Sequence, residues 1–357
     1  MRILLPSNSG ENHCLDAFVI ALSQACQGGE KRWYTTTLKL QLASLEFCRA
    51  CRSIPTLHVR VDDKTPGSIW SPDDKTPGSI CRVPVVRALH LTWKLPMGVL
   101  LESAAMELRA WSELLRLRGI ISVGSLESVV WPERLKELVL DSGYDIPLEA
   151  VRWPTSLQKL EFGFCFDQSI ARVMWPVSLR QLSFGYCFDQ PITGVVWPAS
   201  LQQLSFGGSF FQAIVGAVWP NSLQQLSFGH DFNEPIAGVV WPDSLQKLLF
   251  GGCFNQPIAG VVWPVSLQEL SFSNLDQPIT GVVWPASLQQ LSFGDSFFQT
   301  IVRVVWPNSL QQLLFGHDFN EPIAGVVWPD SLQKLLFGDC FNQPIDGILW
   351  PASLQSV

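Results

Sequence analysis

Over the last two thirds of the chain, apolar residues fall on a fixed grid. Trp-Pro pairs begin at Trp131, Trp153, Trp175, Trp197, Trp219, Trp241, Trp263, Trp284, Trp306, Trp328 and Trp350, and every step is 22 residues except the 21 from Trp263 to Trp284. A period of 20 to 50 residues held this long predicts a solenoid, in which each unit buries its apolar face against its neighbours. Position 1 of each unit is taken as Leu135, Leu157, Leu179, Leu201, Leu223, Leu245, Leu267, Leu288, Leu310 and Leu332.

On that grid, positions 1, 4, 6, 10 and 14 are Leu, Leu, Phe, an aromatic or Leu, and Ile or Leu, with Leu140 the exception at position 6. Positions 2–6, as in Gln202–Phe206, read as one strand per unit, and ten strands at about 4.8 Å spacing make a parallel sheet roughly 48 Å long. Position 17 is Val, Ala or Ile and position 19 is Trp, whereas position 18 admits Arg152 and Met174. In extended chain neighbours alternate, so 17 and 19 point inward and 18 outward. Pro after Trp excludes a helix on that side and predicts extended chain or short strands there. Position 9 repeats short polar groups, which predicts that they satisfy backbone groups where the strand turns away.

The first third is less regular. Asp16–Gln27 has helical spacing and stops at Gly28-Gly29. Leu38–Val61 alternates like short strands, and Val86-x-x-Leu89-x-Leu91 has the apolar spacing of the repeat. Between them DDKTPGSIWSP is followed by DDKTPGSICRV, an exposed duplicated loop. Val99–Arg118, rich in Leu, Ala, Glu and Arg, predicts a helix. The organisation expected is a cap or divergent repeats over 1–61, the loop over 62–82, divergent repeats with a helix over 83–125, and the regular array over 126–357.

Charge changes the picture of partners. Net charge is −7; residues 1–119 hold 15 Lys/Arg against 11 Asp/Glu (+4) and residues 120–357 hold 9 against 20 (−11). An acidic array has no counterion-release drive toward nucleic acid. No apolar run is long enough for a membrane span, and no leader pattern opens the chain. Nine cysteines, an odd number spread over a long chain, do not read as a disulfide framework, so the expectation is a cytoplasmic protein, with the nucleus as the other compartment.

The sequences LSFGHDFNEPI and LLFGGCFNQPI, with the WP-x-SLQ joint, resemble the FNIP type of leucine-rich repeat across residues 126–357. Constant Trp before Pro, and Phe at Phe211 and Phe298 in place of Asn, depart from that pattern. The resemblance implies a right-handed leucine-rich-repeat solenoid, parallel sheet on the concave face and few helices, used as a binding scaffold with no catalytic residues. Leu5-Pro6 and Lys31-Arg32-Trp33-Tyr34 also resemble a degenerate F-box over residues 5–34, which implies a ubiquitin-ligase receptor as the alternative. A second symmetry leaves a third: residues 197–265 and 284–352 are near copies at an offset of 87, as in a recently expanded repeat protein without a specific partner.

Candidate chemistry is sparse. His230 and His317 each stand in Gly-His-Asp-Phe-Asn-Glu but lie four turns apart, about 19 Å at sheet spacing, so they do not form one metal centre. Asp231 with Glu234 offers too few ligands for calcium. Cys48 and Cys51, with Cys81, His58 or His90, lack zinc spacing, and Cys165 and Cys187 in adjacent turns point parallel rather than toward each other. No phosphate loop, nucleophile elbow or metalloprotease motif occurs, and Ser227 beside His230 is too little for a triad. The expectation is a scaffold with no cofactor, no metal and no enzymatic activity. Its protein partner would bind outward positions 3, 5 and 8 of the sheet face: Phe164, Tyr186, Gln203, Ser205, Gln225, Ser227, His230, Lys247, Leu249, Gln312, Leu314, His317, Lys334, Leu336 and Asp339. Glycine at position 7 is expected to leave the backbone open to that partner. The last turn, from Leu332 to Trp350, carries no polar cap, which predicts end-to-end self-association.

Overall fold

The computed structural model describes residues 126–356, apart from 128, 130 and 141, together with four earlier strands as backbone. These are β1 (Arg2–Leu4), β2 (Leu57–Val61), β3 (Leu89–Trp93) and β4 (Arg116–Ile120). The later strands are β5 (Glu137–Leu140), β6 (Lys159–Glu161), β7 (Gln181–Ser183), β8 (Gln203–Ser205), β9 (Gln225–Ser227), β10 (Lys247–Phe250), β11 (Glu269–Phe272), β12 (Gln290–Ser292), β13 (Gln312–Leu314) and β14 (Lys334–Leu336). The chain falls into two compact units, Met1–Ile146 with Ala150–Leu160, and Pro147–Glu149 with Glu161–Val357.

In the first unit β1 runs antiparallel to β2, and β2, β3, β4 and β5 pair in parallel in that order. The strand β4 claims Arg116–Arg118, the end of the segment whose composition predicts a helix. Pairing with β3 and β5 outweighs the intrinsic preference of Leu and Arg, a term of only a few tenths of a kcal/mol per residue. The duplicated loop and the F-box-like residues 5–34 lie outside the described residues, as do Asp16–Gln27 and residues 99–115.

In the second unit the strands from β7 to β14 are parallel and pair in sequence order. Leu204 meets Leu226 across β8 and β9, 22 residues on, and the register stays in phase through the short unit, where Leu270 meets Leu291. Each strand has its middle Leu buried and its neighbours more open. Behind the sheet aromatic residues stack on their copies in adjacent turns, without a break at position 6 from Phe162 to Phe337. Phe206 lies 5.7 Å from Phe228, Phe210 lies 6.0 Å from Phe232, and Trp219 lies 6.3 Å from Trp241 at 14°. Each offset-parallel pair adds about 0.5–1.5 kcal/mol beyond burial, and a unit without its neighbours keeps only its own pair, such as Phe206 on Phe210 at 4.2 Å.

The other side of each unit is made of tight turns, and among the described residues it carries no strand. Val195 N–H donates to the Ile192 carbonyl (3.2 Å) across Gly194, whose φ is +81°. Leu201 N–H donates to the Pro198 carbonyl (3.0 Å), closing a second turn. Glycine at position 16 supplies the positive φ, and Pro sets the entry to the next turn, so extended pairing has no room to form. Between the turns the predicted parity holds: Val239 and Trp241 are buried, while Val240 is 81% exposed.

Candidate interaction surface

Position 11, not position 9, satisfies the backbone where the strand turns away. Asp167 Oδ1 accepts from Asp189 N–H and from Gln190 Nε2, both at 2.9 Å. Asn233 Oδ1 likewise accepts from Asn255 N–H (2.9 Å) and Gln256 Nε2 (3.3 Å), and Asn320 serves Asn342 and Gln343. Position 9 instead uses its backbone, as when Cys253 N–H donates to the His230 carbonyl at 2.8 Å. The exception is the short unit, where Asn274 Oδ1 accepts from Ser296 N–H at 3.1 Å. Serines at position 22 add another rung, with Ser222 Oγ donating to the Leu201 carbonyl at 2.7 Å.

Phe211 and Phe298 interrupt the position 11 ladder, since a phenyl ring accepts nothing from a backbone N–H. In the turn after each, the usual glutamine of position 12 becomes Glu234 and Glu321. A glutamine amide there would have lost its side-chain acceptor and kept only the position 11 carbonyl, as Gln256 has in the Asn233 carbonyl at 2.9 Å, whereas a carboxylate has no N–H to satisfy. The two substitutions occur together in both copies. The displaced aromatic rings are exposed in both cases.

Glycine at position 7 serves the stack rather than a partner. A Cβ on Gly207 would lie 1.7 Å from the Gly185 carbonyl oxygen, and one on Gly229 would lie 1.7 Å from that of Gly207. The close approach that this glycine permits is already taken by the preceding turn.

The proposed contact residues fall into distinct groups. Strand positions 3 and 5, including Gln203, Ser205, Ser227, Leu249, Gln312, Lys334 and Leu336, are half-buried, and Gln225 is exposed. Lys247 is engaged by Glu269 of the next strand, Nζ to Oε1 2.8 Å. Leu314 and Leu336 pair directly across β13 and β14. Position 8 stands furthest out. Phe164 (53% exposed) stacks on Tyr186 (47% exposed) with centroids 5.0 Å apart and planes 4° from parallel. The Tyr186 ring continues over Gly208, where a Cβ would come within 2.3 Å of it. His230, His317 and Asp339 occupy the same column further along and are exposed.

Each of those histidines bonds the aspartate beside it, His230 Nδ1 to Asp231 Oδ1 and His317 Nδ1 to Asp318 Oδ1 at 2.7 Å. The bond from Asp318, and then its charge, raise the pKa of His317 above the ordinary histidine value. Distance in sequence hid their third neighbour: Cys253 and Cys340 reach them from one turn on. The signal was the 22-residue offset between Asp231 and Cys253 and between Asp318 and Cys340. Of the Cys48/Cys51 group that lacks zinc spacing, only the backbones of His58 and His90 are described; they pair in register across β2 and β3.

A second exposed region lies at the outward position 18. Val196, Val218, Val240, Val262, Val283, Val305 and Val327 at position 18 are each 73–81% exposed, forming an apolar stripe away from the sheet. Among the described residues no helix is long and apolar enough to cross a membrane.

The profile described as FNIP Repeat matches residues 166–209, 210–253, 276–318 and 319–357. Among solved structures the chain is similar to CroV588, described as a novel circular LRR protein, at 38% identity with a TM-score of 0.68. That match covers 76% of this chain and 43% of that one, so the chain spans less than half the length of its structural relative. An internalin, InlF of Listeria monocytogenes, matches at 13% identity over 71% of this chain and 88% of that one, with a TM-score of 0.39. No curated protein matches the chain.

Proposed function

Since the chain is an FNIP-type leucine-rich-repeat protein, we propose that it is a non-enzymatic scaffold that holds a protein partner on its sheet face. The observation that carries this reading is the Phe164–Tyr186 pair. The core takes every aromatic at positions 6 and 10 from Phe162 to Phe319, yet these two rings stack in the open at the end of adjacent strands. Exposed rigid aromatics surrounded by short polar groups are the usual anchors of an interface. Leu314 and Leu336, half-buried side by side where half of the units carry Ser, form a second patch with His317 beyond them.

The test is quantitative capture from native cells with the full chain, against Phe164→Ser/Tyr186→Ser. A partner enriched by the parent and lost from the variant, with an unchanged melting temperature, is the expected outcome. Equal recovery on both would remove the aromatic pair from the interface. The acidic array disfavours nucleic acid as the ligand. The last turn is a separate surface: Ile345 is 52% exposed where Ile323 is 1% exposed, and another copy or a further turn stacked there would cover it.

A further inference from the structure

We propose that His230, Asp231 and Cys253 form a binding site for a zinc-class divalent cation, and that His317, Asp318 and Cys340 form a second. This stands apart from the partner-binding reading, since it needs no partner. His230 and Asp231 occupy positions 8 and 9 of one turn, and Cys253 occupies position 9 of the next. The backbone bond from Cys253 N–H to the His230 carbonyl, 2.8 Å, fixes that register. Gly252 leaves space for the imidazole: a Cβ there would lie 2.9 Å from Nε2.

The three ligand atoms already sit at the spacing of a coordination face. Cys253 Sγ is 3.5 Å from His230 Nδ1 and 3.9 Å from Asp231 Oδ1, and the nitrogen and oxygen are 2.7 Å apart. Zinc bonds of about 2.0–2.3 Å at tetrahedral angles separate their ligands by roughly 3.3–3.7 Å. Only the nitrogen–oxygen edge is short, because a proton now bridges it; the metal would take that proton's place and part the two by about half an ångström. One nitrogen, one oxygen and one thiolate select a borderline cation over calcium or magnesium. All three side chains are exposed, which gives the ion a path and leaves the fourth position to water.

The second cluster repeats the geometry, with Cys340 Sγ 3.6 Å from His317 Nδ1 and 4.0 Å from Asp318 Oδ1. It is also more acidic, since Asp339 replaces Gly252 at position 8 of the following turn and Asp295 Oδ1 accepts from His317 N–H at 3.4 Å. The His317 site should therefore bind more tightly. Cys165 and Cys187 serve as internal controls, because Ser142 and Phe164 stand where the histidines would.

The experiment uses the full chain, reduced and stripped with a chelator, titrated with Co²⁺ and then challenged with Zn²⁺. Cysteines outside the two clusters contribute equally to parent and variants, so the readout is the difference. The parent should bind two more Co²⁺ than Cys253→Ser/Cys340→Ser, with a near-ultraviolet thiolate band and tetrahedral visible bands that Zn²⁺ abolishes. Each single variant should lose one ion, Cys340→Ser the tighter, and Asp231→Asn/Asp318→Asn should weaken both at least tenfold. Cys165→Ser/Cys187→Ser should change nothing. Identical cobalt stoichiometry and spectrum in the parent and the double cysteine variant would overturn the proposal. Melting curves in chelator, expected to coincide for all variants, separate loss of ligands from loss of fold.

Discussion

The near-identical blocks 197–265 and 284–352 differ at few places, and where they differ shows what the stack holds fixed. Among buried positions the changes are Ala217 to Val304, one of similar kind, and Val261 to Ile348 in the last turn. The larger changes face outward or lie in turns: Gly208 against Asp295, Ser227 against Leu314, Gly252 against Asp339, and Gly216 against Arg303. Ladder residues Asn233 and Asn320, and the Phe–Glu exception on either side of them, are the same in both blocks. Two copies folded on one plan have thus parted mainly at the surface, and the column at position 8 has moved most.

The largest expected effect falls on the shared core. Trp219→Ala and its counterpart Trp306→Ala should each destabilise the array by about 3–5 kcal/mol, since each removes a buried ring stacked on a neighbouring tryptophan. Urea melts should show the two equal. Trp219→Phe should lose well under half of that, because the Trp219 indole N–H has no acceptor to forfeit. Unequal losses for the two alanine variants would mean the blocks differ inside as well as out.

Next comes the ladder. Asn233→Ala strips acceptors from Asn255 N–H and Gln256, and should cost about 1 kcal/mol. Phe211→Asn alone should give Asn233 N–H an acceptor, as Asn233 gives Asn255; adding Glu234→Gln completes the rung. A double-mutant cycle should find the pair favourable by about 0.5–1 kcal/mol, and strict additivity would show that the two replacements are unrelated.

The turn at position 16 separates the blocks by a similar amount. Arg303 holds φ at 70°, where Gly216 stands at 86°. Left-handed backbone strains a side chain by about 1–2 kcal/mol, partly offset by the freedom glycine loses on folding. Arg303→Gly should therefore stabilise by about 1 kcal/mol and Gly216→Arg should do the reverse. Smallest of all, Val240→Arg and Leu314→Ser should stay within about 0.5 kcal/mol, the first on an open side chain and the second restoring the residue of the sister block.

Much of the fold was legible because stacking writes itself into the sequence as a period. Trp at 19, Val at 17 and the open residue at 18 could be placed from alternation alone. Local reading failed where the physical partner lies one turn away. Short polar residues at position 9 suggest capping there, but Asn233 at position 11 is the one that reaches Asn255. Phe211 followed by Glu234 was the visible clue, at an offset of 23 residues. The same offset concealed Cys253 from His230. Arg116–Arg118 failed for the opposite reason: their local preference is helical, and a strand on either side overrides it. The position 7 glycine showed that close approach was needed, but sequence could not tell a partner from the neighbouring turn.

The central claim is that a partner meets the sheet-side position 8 column and not the apolar valine stripe. A photo-activated benzoylphenylalanine placed at Tyr186, or in a separate chain at Val240, tests it most directly in native cells. Both sites are open and neither supports the stack, so both chains should fold and melt alike. A discrete, light-dependent adduct from position 186 and none from position 240 is the result this account predicts. An adduct from 240 with none from 186 would contradict it and move the interface to the other side of the molecule.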